Sequence, residues 1–72
     1  MRIEYDAEVD ALYIEFRPLA AGTAEARTLS EDITGNFAPD GKLAGLEILD
    51  ASKVLGEEVG KVVMELSPMA RH

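Results

Sequence analysis

Residues 33–49 of the chain read ITGNFAPDGKLAGLEIL, two alternating apolar segments on either side of a turn signal. Within residues 38–42, APDGK, proline fixes one backbone φ and glycine permits a positive φ, as tight turns require. Alternation of apolar and polar residues is the period of a half-buried β-strand. The stretch therefore predicts a β-hairpin with strands at 33–37 and 43–49, and it favours an antiparallel sheet.

The same alternation predicts three further strands upstream, at residues 2–5, 11–16 and 24–29. A polar connection, residues 6–10, joins the first two of them. In the second strand every other residue is apolar, so these side chains share one face of the sheet. That face is the predicted core, and its members are Leu12, Ile14 and Phe16.

A helix is predicted after the last strand, because Asp50 has a side chain suited to cap a helix beginning at Ala51. Gly56 ends or weakens this first helical segment. Beyond it, apolar residues at i, i+3, i+4 and i+7 predict a second helical stretch that stops at Ser67-Pro68. These residues are Val59, Val62, Val63 and Leu66. Because valine also favours strands, a sixth strand at residues 61–66 is the alternative.

Together these elements predict the α+β class, with a small antiparallel sheet of about five strands built from hairpins and a C-terminal helix. We expect one domain over residues 1–72, in which residues 57–72 form a C-terminal extension. A chain of this length buries a small core, and it has no cysteine for disulfides and one histidine, His72. Neither disulfides nor a zinc site can therefore add to the stability of this small core. Association with another chain is the remaining way to do so, and a homodimer is expected.

Composition limits the classes of partner and compartment. Fourteen acidic residues against seven basic ones give a formal charge of -7, which repels nucleic acids and anionic membranes. No apolar run approaches the roughly 20 residues of a membrane-spanning helix, and no signal-like segment follows Met1. We therefore expect a cytoplasmic protein with no nucleic-acid partner and no membrane partner, and a small basic protein as a possible partner.

Two stretches carry a resemblance to a known family: YDAEVDALYIEF at residues 5–16 and PDGKLAGLEILDAS at residues 39–52. Together they resemble the YuzE-like family of small bacterial domains of unknown function, over about residues 1–53. The resemblance implies a compact antiparallel sheet with a helix, and no established activity. By analogy with the family an acidic residue is expected where Asn36 stands. Members look like the small partners found beside toxin-like proteins, which implies an antitoxin-like role.

Six polar residues coincide with the family-like stretches and could line a small binding site. They are Tyr5, Asp6, Asp10, Tyr13, Glu47 and Asp50. The spacing from Asp6 to Asp10 begins like a calcium loop, but Ala11 stands where glycine is required and Arg17 where a bidentate glutamate is required. A polar turn explains these acids better than a metal site. No catalytic residue, metal ligand or cofactor is predicted.

The sequence thus favours a non-enzymatic protein-interaction module of antitoxin-like kind. The alternative is a small ligand- or metal-binding domain that uses the acidic residues near the first strand connection. A third reading is an unrecognised enzyme. An exposed apolar patch or edge strand would favour the first reading, whereas a concave pocket with convergent carboxylates would favour the others.

Overall fold

The structure is a computed structural model and describes residues 1–68. His72 and the last four residues of the expected extension at 57–72 lie outside the described residues. Five strands are followed by one short α-helix, α1, and by a single 3₁₀ turn. The strands are β1 (Arg2–Asp6), β2 (Ala11–Glu15), β3 (Glu25–Ser30), β4 (Ile33–Phe37) and β5 (Leu43–Ile48), α1 spans Ala51–Leu55, and the 3₁₀ turn spans Gly56–Glu58. The predicted α+β class is confirmed.

The strands form one antiparallel sheet in the order β1-β2-β5-β4-β3. The predicted hairpin at 33–49 is present as β4 and β5, and β5 lies at the centre because it also pairs with β2. A bulge interrupts β5: Asn36 pairs with Gly45 and Phe37 with Leu43, so Ala44 lies opposite no residue of β4. The carbonyl oxygen of Ala44 instead accepts the N–H of Phe16 at 2.8 Å, which ties the end of β2 to β5.

The core lies between α1 and one face of the sheet. Leu12 pairs with Ile48 across β2 and β5, and both are buried against Ala51, which is fully buried at the start of α1. Ile14 packs at the margin of this cluster, so the predicted core face of β2 is correct for its first two members. Phe16, the third, is exposed beyond the end of β2. Within residues 1–68 no large side chain is fully buried, so the core is thin.

The predicted helical stripe between residues 59 and 66 is wrong, and so is the alternative strand at 61–66. After α1 the chain makes only the 3₁₀ turn, and residues 61–68 are neither helix nor strand. Two glycines with positive φ, Gly56 at 62° and Gly60 at 83°, interrupt the helical path. Val59 packs against the core, but the rest of the stripe is largely exposed. Val62, Val63 and Leu66 are 67%, 81% and 85% exposed.

No helix in residues 1–68 has the length and apolar character that a membrane crossing requires.

Gly45 in β5 provides a test of packing in the sheet. A Cβ at this position would lie 2.8 Å from the carbonyl oxygen of Ile14 and 3.0 Å from the hydroxyl of Tyr13. Because backbone must move to relieve the first contact, we expect Gly45→Ala to lower the free energy of unfolding by about 1–3 kcal/mol. Urea denaturation followed by circular dichroism measures this change.

Gly35→Ala is the matched control on β4. Its Cβ would meet only ends of side chains, from Leu29, Phe37 and Leu43, at 2.9–3.1 Å. These side chains can shift, so we expect a smaller loss than for Gly45→Ala. An equal or larger loss at Gly35 would contradict this account.

Candidate functional site

An open cleft of about 540 Å³ lies at the end of the sheet where β1 turns into β2. It contains four of the six residues predicted as a site: Tyr5, Asp6, Tyr13 and Glu47. The other two, Asp10 and Asp50, are not among its lining residues. Glu4 also lines the cleft and was missed by the sequence reasoning. The alternation along β1 could have identified Glu4, because it places Glu4 on the same face as Asp6.

The register of the sheet sets the geometry of this acidic cleft, defined by Glu4, Asp6, Tyr13 and Glu47. Glu4 pairs with Tyr13, and Tyr13 pairs with Glu47, so one tyrosine stands between two carboxylates on adjacent strands. Directly paired residues share a face and have Cβ atoms about 5 Å apart. The phenol of Tyr13 extends over Gly45, where a Cβ would approach its hydroxyl to 3.0 Å. The missing side chain at Gly45 therefore leaves room for the ring.

Every charged residue that lines the cleft is acidic. The nearby Arg2 partly offsets this charge, since its guanidinium lies 3.3 Å from Glu4 and 3.7 Å from Glu15. Asp6 also supports the turn, because its Oδ1 accepts the backbone N–H of Glu8 at 3.0 Å. Tyr13 is half-buried, with its ring lining the cleft between carboxylates. Such a ring can receive an organic cation, which stacks on the ring and pairs with the acids.

The acidic side chains in the described part of the chain are not arranged as a metal site. Among residues 1–68, no group of three or more His, Cys, Asp or Glu side chains is placed to hold a metal ion. The calcium-loop-like spacing from Asp6 to Asp10 thus forms a turn, in which Asp10 has a positive φ of 53°. Asp is among the residues that tolerate this conformation.

Asp10 connects the β1–β2 turn to the start of α1. Its carboxylate accepts the Tyr5 hydroxyl at 2.7 Å, the Ser52 hydroxyl at 2.6 Å and the Ser52 backbone N–H at 3.0 Å. Its backbone carbonyl accepts the N–H of Ala51 at 2.9 Å. Asp10 thereby satisfies two of the free N–H groups in the first turn of α1, as a capping residue does.

These hydrogen bonds shift two pKa values. The Ser52 hydroxyl, followed by the Tyr5 hydroxyl, stabilises the ionised carboxyl and lowers the pKa of Asp10. The same contact, in which Tyr5 donates to Asp10, stabilises the neutral phenol and raises the pKa of Tyr5. Both pKa shifts arise from hydrogen bonds that hold the two side chains in place.

The predicted capping role of Asp50 is wrong. Asp50 stands at the N-cap position, but its side chain makes no capping hydrogen bond. Its backbone is left-handed, with φ 50° and ψ 45°, so the chain enters α1 by an unusual turn. The cap comes instead from Asp10, which is 42 residues away from Ser52 in sequence.

Substitution of each aspartate by glycine separates the two roles. Both residues have positive φ, so glycine relieves the backbone equally at each, and only Asp10 loses side-chain hydrogen bonds. We expect Asp10→Gly to lower the melting temperature by several degrees and Asp50→Gly to leave it unchanged or raise it. Thermal unfolding by circular dichroism measures both, and a larger loss in Asp50→Gly would reverse the assignment.

The lowered pKa of Asp10 also predicts a pH dependence. A carboxyl whose folded pKa is below its unfolded value, about 4, stabilises the fold above that pH, and this contribution is lost as the pH falls through the folded pKa. We expect Asp10→Asn to lose less stability between pH 5 and pH 2 than the unsubstituted chain. Asp40, whose pKa is lowered by the Lys42 N–H and by Arg17, acts in the same direction in both proteins. Parallel pH profiles would rule out the contribution of Asp10.

Comparison with known proteins gives one match. A family model described as a protein of unknown function, DUF2283, matches residues 2–52. No curated protein and no solved structure matches the chain. The matched region contains the whole sheet, the acidic cleft, and both Asp10 and Ser52. It ends one residue before the limit expected from the resemblance to small bacterial domains of unknown function. The chain therefore belongs to the DUF2283 family, a protein family of unknown function.

Proposed function

We propose that this domain is a non-enzymatic, cytoplasmic protein-interaction module that binds a small basic protein through the acidic cleft. The observation that supports this proposal is the placement of Tyr13 between Glu4 and Glu47 in an open cleft. A lysine or arginine side chain of the partner lies on the Tyr13 ring and pairs with the flanking carboxylates.

The net charge of the whole molecule also supports a basic partner. A net charge of -7 on a chain of 72 residues attracts a cationic protein and orients it before contact. An antitoxin-like role follows if the partner is a basic toxin, the kind of neighbour that the family resemblance implies. Binding should then weaken steeply with added salt, because the contributing charges are exposed.

The hydrogen bonds and pKa of Asp10 do not suit that residue to act as a general acid or base. A general acid or base is most effective when its pKa is near the working pH, and such values are reached by raising the pKa of a carboxyl. The hydrogen bonds from Ser52 and Tyr5 move the pKa of Asp10 in the opposite direction. Its hydrogen bonds to the first turn of α1 assign it to structure.

A small cationic ligand is the second candidate for the same cleft. The observation that favours it is the volume of about 540 Å³, which falls within the usual range for ligand sites. The two proposals differ in the contacts that binding requires. A small amine needs only the cleft, whereas a protein partner also needs contacts around the cleft.

Co-purification with charge-matched variants tests the proposed function. The tagged protein is recovered from its native cell extract, and retained proteins are identified by mass spectrometry. We expect one small basic protein to be retained by the unsubstituted chain and by Glu31→Gln/Glu57→Gln, but lost from Glu4→Gln/Glu47→Gln. Both pairs remove two negative charges, and only the second removes them from the cleft.

Calorimetric titration with the purified partner then gives the size of the effect. Loss of two charge-assisted contacts should weaken binding at least tenfold at low salt. Equal retention by both double variants would contradict the role of the acidic cleft. Micromolar binding of a simple alkylamine with no protein retained would favour the ligand-binding alternative.

A further inference from the structure

The C-terminal segment 61–66, KVVMEL, has the pattern of a strand without a partner. In an extended conformation Val62, Met64 and Leu66 lie on one side and Lys61, Val63 and Glu65 on the other, so Val63 is the one apolar residue on the charged side. The segment forms neither helix nor strand, and Met64 is 70% exposed. Val62 borders an open apolar groove of about 430 Å³ that Ile3 and Tyr5 of the same chain also line, and it is still 67% exposed. Leu66 is 85% exposed.

Strand β1 is the complementary feature. It is at the edge of the sheet, with β2 as its neighbour on one side, and all five of its residues are exposed. On the α1 side Ile3 and Tyr5 are each 39% exposed, and on the opposite side Arg2 and Asp6 carry opposite charges. An open edge with apolar side chains readily pairs with another strand.

We propose that residues 61–66 of one chain add to the β1 edge of a second copy as an antiparallel strand, and that the exchange is reciprocal. With Met64 opposite Ile3, apolar residues oppose apolar residues on one face. On the other face two pairs of opposite charge flank a Val63–Glu4 pair. The apolar pairs are Val62–Tyr5, Met64–Ile3 and Leu66–Met1. The charged pairs are Lys61–Asp6 and Glu65–Arg2.

Other registers fit less well. A shift by two residues that places Met64 opposite Tyr5 also places Glu65 opposite Glu4, a repulsive pair. At the other edge of the sheet, the register that pairs Glu65 with Arg27 puts Met64 opposite Thr28 and exposes it on a polar face. A shift by one residue would reverse the faces of the whole strand. The opposite shift, with Met64 opposite Met1, pairs Lys61 with Glu4 but places Glu65 beyond the end of β1. The proposed register is therefore the one that gives both charged residues of the segment a partner of opposite charge on β1.

The exposed area supports association with a second copy. The chain has a solvent-accessible surface of 5695 Å², whereas a compact monomer of 7.8 kDa is expected to have about 4,400 Å². The excess is more than the roughly 800 Å² that each partner buries in a standard interface. The radius of gyration, 13.9 Å, likewise exceeds the value of about 11 Å for this length. The ion pairs of Arg2 and Lys61 within the chain are exposed, so exchanging them costs little.

Charge reversal at the Arg2–Glu65 pair tests the register. Sedimentation and light scattering give the dimer dissociation constant. Glu65→Arg and Arg2→Glu should each weaken the dimer at least tenfold, since symmetry places the repulsion at two sites, and Arg2→Glu/Glu65→Arg should restore it. Glu57→Arg, which changes the charge equally outside the segment, should have no effect. Circular dichroism checks that each variant keeps its sheet.

A disulfide distinguishes exchange between chains from pairing within one chain. Because the sequence has no cysteine, Ile3→Cys/Met64→Cys introduces the only thiols, at positions that the register places opposite each other. Mild oxidation should give a covalent dimer on a non-reducing gel. A covalent monomer with an internal disulfide would overturn the proposal, as would a monomeric unsubstituted chain or a dimer that Glu65→Arg leaves intact. Glu65→Arg and Ile3→Cys/Met64→Cys change neither the residues of the acidic cleft nor Arg2, which pairs with Glu4, so their results are separate from those for the cleft.

Discussion

The Asp10 carboxylate makes the contacts on which the helical cover of the core depends. A five-residue helix has little stability of its own, and the residue at its N-cap contributes no side-chain bond. The bonds from Asp10 to Ser52 hold α1 over the sheet, and only there does Ala51 close the core against Leu12. The β1–β2 hairpin, which contains Asp10, and the helix α1, which covers the core, are therefore one structural unit.

Local pattern predicted the strands but neither their order nor the cap. Alternation is a local property, and it located all five strands to within a residue or two. The insertion of β5 between β2 and β4 depends on pairings distant in sequence. The capping rule selected Asp50 because it considers neighbours only, whereas Asp10 approaches from another turn. The stripe after Gly56 had helical spacing, but only its first residue, Val59, packs against the core, and the other three are exposed.

The candidate site was predicted better than its chemistry. The residues on the family-like stretches meet in the cleft because β1, β2 and β5 are adjacent, which the sequence did not reveal. Polarity alone could not separate Tyr13 and Glu47, which line the cleft, from Asp10, which supports the fold. The sheet thus presents two different surfaces. One face carries the acids, and the other carries the apolar residues that α1 only partly covers.

The distance in sequence between Asp10 and Ser52 has a consequence for the order of folding. The loop of about forty residues between Asp10 and Ser52 must close before α1 receives its cap. The pairing of the strands offsets most of the entropy that is lost when this loop closes. We therefore expect the helix to form late, after the sheet, and to be the first element to open. Opening at α1 releases the segment that follows it while the five strands stay paired. The protein can therefore extend its C-terminal segment towards a neighbour without unfolding.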